Sequence, residues 1–89
     1  MRAGTTRQFR EAFERLPSDV KHRARISFQL WKKSPWHPSL KFKIINTEEQ
    51  IYSVRIGIGW RALGSRDGDF VSWFWIGSHA EYDRLISSL

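Results

Sequence analysis

The sequence predicts an α+β domain, with two N-terminal antiparallel helices packed on a four-stranded antiparallel sheet and a short C-terminal helix. Three observations carry this expectation. Apolar residues recur at helical spacing through the first third of the chain. From Leu40 onward they alternate instead, as strands require. The chain has 89 residues and no cysteine, so residues 1–89 make one domain held by packing rather than by disulfides. Five Trp, six Phe and two Tyr are available for its core. Such side chains bury roughly 150–250 Å² each.

Residues 1–5 read as a loose end. Thr5 or Thr6 then caps a first helix whose apolar face holds Phe9, Ala12, Phe13 and Leu16. Pro17 cannot lie inside a helix, so "LPSD" stops it, and Ser18 is placed to cap a second. The second stripe is Val20, Ala24, Phe28 and Trp31, with Lys21, Arg25 and Lys32 on other faces. Ser34 before Pro35 marks its end. The short Pro-Ser turn makes the pair an antiparallel helical hairpin. "SPWHPS", residues 34–39, is a loop. In "LKFKII", Leu40, Phe42 and Ile44 point one way and Lys41 and Lys43 the other. "NTEEQ" is a polar turn. "IYSVRIGI" puts Tyr52, Val54 and Ile56 on one side, with Ile58 if the strand runs that far. "WRALGSR" is a third strand, and "RDGD" supplies an Asp-Gly hairpin turn. "FVSWFWI" is a fourth, apolar enough to be central or covered on both faces, and "GSHAEYDRLISSL" closes the chain as a short helix.

The stretch "YSVRIGIGWRALG" fixes a register. If residues 57–59 form a three-residue loop, Gly57 and Gly59 tolerate any positive φ it needs. Ile56 then faces Trp60, Val54 faces Ala62, and Arg55 faces Arg61. A two-residue loop would pair Arg55 with Ala62 and mix charged with apolar residues, so the first register is favoured. Like charges directly opposite each other are mildly destabilising. They are tolerated where solvent screens them or an anion bridges them, and the guanidinium fork matches phosphate. A solvated outer face with two incidental arginines satisfies the same pattern. "GIG" lacks the spacing and following helix of a dinucleotide site.

Formal charge is +6, from ten Arg and five Lys against nine acids. Such an excess favours an anionic partner, although it also serves solubility. No apolar run approaches the ~20 residues of a membrane span, and "MRAGTTRQF" has no signal-peptide segment. The expectation is a cytoplasmic protein that does not engage membranes. Of three histidines, His22 lies on the second helix surface and His37 in the Pro-rich loop beside Trp36. His79 follows "WIGS", where the last strand yields to the last helix. A side chain on that rigid edge reaches ligands, and an imidazole suits general acid/base work. A plain surface histidine at a helix start fits as well. No His/Asp/Glu cluster has metal-ligand spacing, so no metal or cofactor is expected. Trp36 and one of Trp73 or Trp75 are expected at the surface.

Taken in order, "HPSLKFK", "YSVRIGIGWRAL" and "WFWIGSHAEYDRL" resemble the RelE/ParE superfamily, the toxins of bacterial type II toxin–antitoxin pairs, over nearly the whole chain. The resemblance implies a metal-independent, ribosome-dependent mRNA endoribonuclease that inhibits translation. Basic side chains on a concave face would hold mRNA in the ribosomal A site while a ribose 2′-hydroxyl attacks the adjacent phosphate. By this resemblance Arg61 takes the place of the catalytic arginine after "G-aromatic", and Arg55 that of an assisting basic residue. His79 stands where members carry Arg or a catalytic His, and Tyr82 matches a C-terminal Tyr that some members use. Lys41 and Lys43 match RNA-binding positions in character, beside Arg55 and Arg61. Ser53 stands where Lys is frequent, and no Asp or Glu accompanies "GIGWR" as a base. Other members poison DNA gyrase, and a non-catalytic basic nucleic-acid-binding module is a further alternative. The resemblance also implies a cognate antitoxin that covers the basic face and mediates oligomerisation.

Overall fold

The computed structural model describes residues 1–88, so Leu89, the end of the expected closing segment, lies outside the described residues. Five strands form one sheet: β1 (Arg2–Thr5), β2 (Lys43–Asn46), β3 (Ile51–Ile56), β4 (Trp60–Asp67) and β5 (Phe70–Ser78), in the spatial order β1-β5-β4-β3-β2. Helices α1 (Arg7–Glu14) and α2 (Ser18–Lys33) pack on one face and α3 (His79–Ser87) on the other. No helix among the described residues is long and apolar enough to cross a membrane.

The expected loose end is a strand. Arg2–Thr5 pairs in parallel with β5, Arg2 opposite Phe70 and Thr5 opposite Trp73, so the sheet has five strands and is mixed. Arg2 also ties to Asp69 at 3.1 Å. "RAGT" carries no alternation because the free edge of β5 supplies backbone partners, and side-chain pattern is not what recruits it. At the other edge the strand expected over "LKFKII" is shorter. Pro38–Leu40 forms a single 3₁₀ turn and Lys41 adopts the left-handed region, φ 48°. Leu40 and Phe42 are buried as the alternation required, but Ile44 is exposed.

Thr6 caps α1 by accepting from the Phe9 backbone N–H. Ser18 does not cap α2: Pro17 occupies the cap without a side-chain hydrogen bond, and Ser18 is the first helical residue. The Trp31 ring meets Trp73 edge-on at 5.2 Å and Phe42 at 5.6 Å, while Phe9 of α1 meets Phe28 of α2 at 5.9 Å. Each such pair contributes about 0.5–1.5 kcal/mol beyond area burial. Trp73 is 2% exposed, and Trp36 is the exposed tryptophan at 58%, with Trp75 half-buried.

A bulge in β5 between the positions opposite Leu63 and Gly64 lets Trp73 pair with Gly64 and Trp75 with Leu63. Phe74 is the extra residue, so Val71, Trp73 and Ile76 all face α1 and α2. Phe74 and Trp75 pack under α3 with Ile51, Leu63 and Tyr82. β5 is therefore covered on both faces. A Cβ on Gly64 would lie 2.4 Å from Val71 Cγ1, so only glycine admits those side chains. β4 and β5 join through Gly68 and Asp69, one residue later than the Asp-Gly pair suggests, because Asp67 still pairs with Phe70.

Candidate functional site

The register expected around the glycines is the observed one: Ile56 faces Trp60, Val54 faces Ala62, and Arg55 faces Arg61. Gly57 and Gly59 have φ of 56° and 90°, the left-handed region that glycine enters without a Cβ penalty. Ile58 does not continue the apolar row. It lies at the loop tip, 80% exposed. Arg55 and Arg61 share the sheet face opposite α1 and α2. The same face carries Ser53, opposite Lys43, and Gly77, opposite Arg61. Lys43 thus lies on the arginine face but in the neighbouring cross-strand row, on edge strand β2. Lys41 does not: its left-handed turn takes it out of the strand, and it is exposed beside the sheet.

α3 begins at the arginine end of this face. Its start is held by a capping box, in which the Ser78 hydroxyl accepts from the Glu81 N–H and the Glu81 carboxylate from the Ser78 N–H. That bond to the Ser78 backbone holds the Glu81 carboxyl below its ordinary pKa. The His79 backbone N–H donates to Gly59 O at 2.7 Å, tying the helix start to the arginine hairpin. His79 is exposed, and its Nδ1 lies 3.0 Å from Asp83 Oδ2, one turn along α3.

Tyr82 is placed differently from a group that meets substrate with its hydroxyl. It is 5% exposed, and its hydroxyl donates to Ser53 Oγ at 3.3 Å in the interior. Its ring is a platform: Arg61 Cζ lies 5.8 Å from the ring centroid and the His79 ring 6.0 Å. Ser53 is buried beneath it, so a hydroxyl at that position anchors the platform where a lysine would need room and solvent.

Arg61 is half-buried, and its Nη1 is enclosed without a hydrogen-bond partner among the described residues. Burial lowers the guanidinium's pKa from its ordinary value. The Arg55 charge pushes the same way, while Tyr82 and Asp83 oppose it. Arg55 is better satisfied, its Nε donating to Gly57 O at 3.0 Å. The face thus gathers two opposed guanidinium groups, one with unused donor capacity, and a His–Asp pair at the same edge. That arrangement suits an oxyanion such as phosphate. The residue that sequence reasoning missed is Asp83. Its signal was the His79–Asp83 spacing of four on a helix, which places both side chains on one face.

His37 is structural, its Nδ1 accepting from the Ser39 N–H at 3.2 Å, and His22 is exposed on α2. Among the described residues no group of three or more His, Cys, Asp or Glu is placed to hold a metal ion.

A family model described as a ParE-like toxin domain matches residues 18–84. No curated protein sequence matches the chain significantly. Among solved structures, it is similar to a chain of the RelB-RelE antitoxin-toxin complex from Methanococcus jannaschii, with TM-score 0.71 and 17% identity over 91% of this chain and 96% of that one. A chain of the E. coli DinJ-YafQ toxin-antitoxin complex gives 0.71 at 11% identity, covering 89% and 92%. The YoeB/ParE toxin from Agrobacterium tumefaciens gives 0.67 at 16%, covering 89% and 99%. At such identities the structural likeness is one of fold, whereas the family match spans most of the chain. The protein belongs to the ParE-like toxin-domain family, within the RelE/ParE superfamily of toxin–antitoxin systems.

Proposed function

We propose that the protein is a ribosome-dependent mRNA endoribonuclease that arrests translation in the cytoplasm, as the toxin of a type II toxin–antitoxin pair. The observation that carries this reading is the half-buried Arg61 guanidinium, opposed by Arg55 and set, like His79, against the Tyr82 ring. In the reaction the ribose 2′-oxygen bonds to phosphorus and the bond to the 5′-oxygen breaks. The products are a cyclic phosphate and a 5′-hydroxyl. Negative charge on the phosphoryl oxygens grows in between, and Arg61 stabilises it. Such preorganised donors contribute about 3–4 kcal/mol each. Arg55 positions the scissile phosphate through the guanidinium fork. His79 Nε2 takes the proton of the 2′-hydroxyl or returns one to the leaving oxygen. Tyr82 serves through its ring. Lys43, and Lys41 beside it, hold flanking phosphates, and the ribosome supplies alignment of the substrate.

The relatives bound as RelB-RelE and DinJ-YafQ pairs support a cognate antitoxin for this chain; in this reading the antitoxin covers the basic face and mediates oligomerisation. The ParE-like family match supports a second reading, inhibition of DNA gyrase. Expression of the chain in cells separates the two. Arrested translation with discrete mRNA cuts is the expected result, and gyrase-linked DNA breaks with intact mRNA would move the second reading ahead.

A further inference from the structure

We infer that Asp83 is a positioning residue for His79, fixing the imidazole in the tautomer that carries its proton on Nδ1. The inference rests on the nuclease reading for its purpose but on geometry for its content. Asp83 Oδ2 lies 3.0 Å from His79 Nδ1. A carboxylate only accepts, so the nitrogen facing it must be the N–H, and Nε2 is left with its lone pair. A ring that exchanges protons in a cleavage reaction needs one nitrogen pinned and the other free. The backbone on either side of this pair is also fixed. The His79 N–H is bonded to Gly59 O, and the Ser78–Glu81 capping box sets the first turn. Tyr82, between the pair in sequence, is buried and bonded to Ser53, which locks the rotation of α3 against the sheet.

The charged and polar groups around the ring are few. Asp83 and Tyr82 come from its own helix, and Arg61 reaches the same Tyr82 ring from β4. His79 is the first residue of α3, and Asp83 is the acid in contact with its ring. An exposed ion pair one helical turn apart is also an ordinary surface feature, and the test must separate the two roles.

The test reads the ring directly. Long-range ¹H–¹⁵N spectra of the free, full-length protein at alkaline pH report which nitrogen of His79 is protonated. Wild type is expected to show Nδ1–H, and Asp83→Asn to show Nε2–H or a mixture, with an unchanged thermal midpoint. Single-turnover cleavage of ribosome-bound mRNA by Asp83→Asn is expected to fall by roughly 10-fold or more, a part of the 10²–10⁴ that a positioned acid or base supplies. A wild-type ring protonated on Nε2, or ring signals identical in the two proteins, overturns the inference even if the chain cuts RNA. A pinned ring with Asp83→Asn cutting at the parental rate overturns the positioning role. A pinned ring in a chain that leaves mRNA intact upholds the geometry and overturns the nuclease reading instead.

Discussion

Replacing Arg61 by methionine should abolish function and stabilise the fold at the same time. Arg61 Nη1 is enclosed without a partner among the described residues. A buried donor left unpaired costs about 1–3 kcal/mol. Arg55 stands directly opposite on β3, and a cross-strand pair of like charges adds a few tenths to about 1 kcal/mol of repulsion. Against this, the guanidinium gains about 0.5–1 kcal/mol from the Tyr82 ring 5.8 Å away, and some attraction from Asp83. Methionine keeps most of the apolar stem and removes the charge. The net expectation for Arg61→Met is a gain of about 1 kcal/mol. For a domain of this size that raises Tm by about 4–8 °C. Arg55→Met removes a bonded group instead, since its Nε donates to Gly57 O, and should be neutral or slightly destabilising. The assay is thermal and urea unfolding followed by circular dichroism, with cleavage measured on the same preparations. Loss of 1 kcal/mol or more in Arg61→Met would refute the reasoning. The guanidinium would then be a satisfied structural group rather than one held ready for an anion, and such a trade of stability for activity would be absent.

Four further outcomes follow from the same face. Tyr82→Phe should retain cleavage within about 3-fold while losing about 0.5–1.5 kcal/mol of stability, because its hydroxyl bonds Ser53 and not substrate; a 100-fold loss in single-turnover rate would contradict this. Ser78→Ala should cost about 1 kcal/mol by removing the cap of α3. The Glu81 carboxyl is held below its ordinary value of 4.5 in the folded protein, so its stabilisation is present above that pH and is lost as pH falls through the lower folded value. Acid titration of stability should therefore be less steep in Glu81→Gln. Affinity for single-stranded RNA should fall with salt at a log–log slope of roughly −2 if Lys43, Arg55 and Arg61 each meet a phosphate, and a flat dependence on filter binding would count against the face.

The arginine register was legible because only one loop length keeps charged and apolar rows apart across β3 and β4. The helical stripes were legible for the same reason: Val20, Ala24 and Trp31 are buried where their spacing placed them. What escaped were features set by backbone partners and distant packing. β1 is recruited by the open edge of β5, which "RAGT" does not announce. Ile44 keeps the alternating phase, opposite Tyr52, yet is exposed because β2 is an edge strand, which alternation alone does not distinguish from a central one. At the site, the positions of Arg55, Arg61 and His79 followed from pattern and resemblance. The inward hydroxyl of Tyr82 did not, since it depends on Ser53 lying under α3, 29 residues away. The Asp83 partner of His79 was present in the spacing and needed only the helix to be seen.

In the proposed reaction Arg61 and His79 act on one phosphate. Single-turnover cleavage of ribosome-bound mRNA across pH 5–9 tests it most directly, with each variant checked for folding. Arg61→Ala is expected to cut about 100-fold or more slowly, Arg61→Lys to rescue poorly because a point charge lacks the fork, and His79→Ala to lose roughly 10²–10⁴ together with an ionisation present in the wild-type profile. Parental rates in both alanine variants would contradict it and leave the paired arginines an ordinary solvated face.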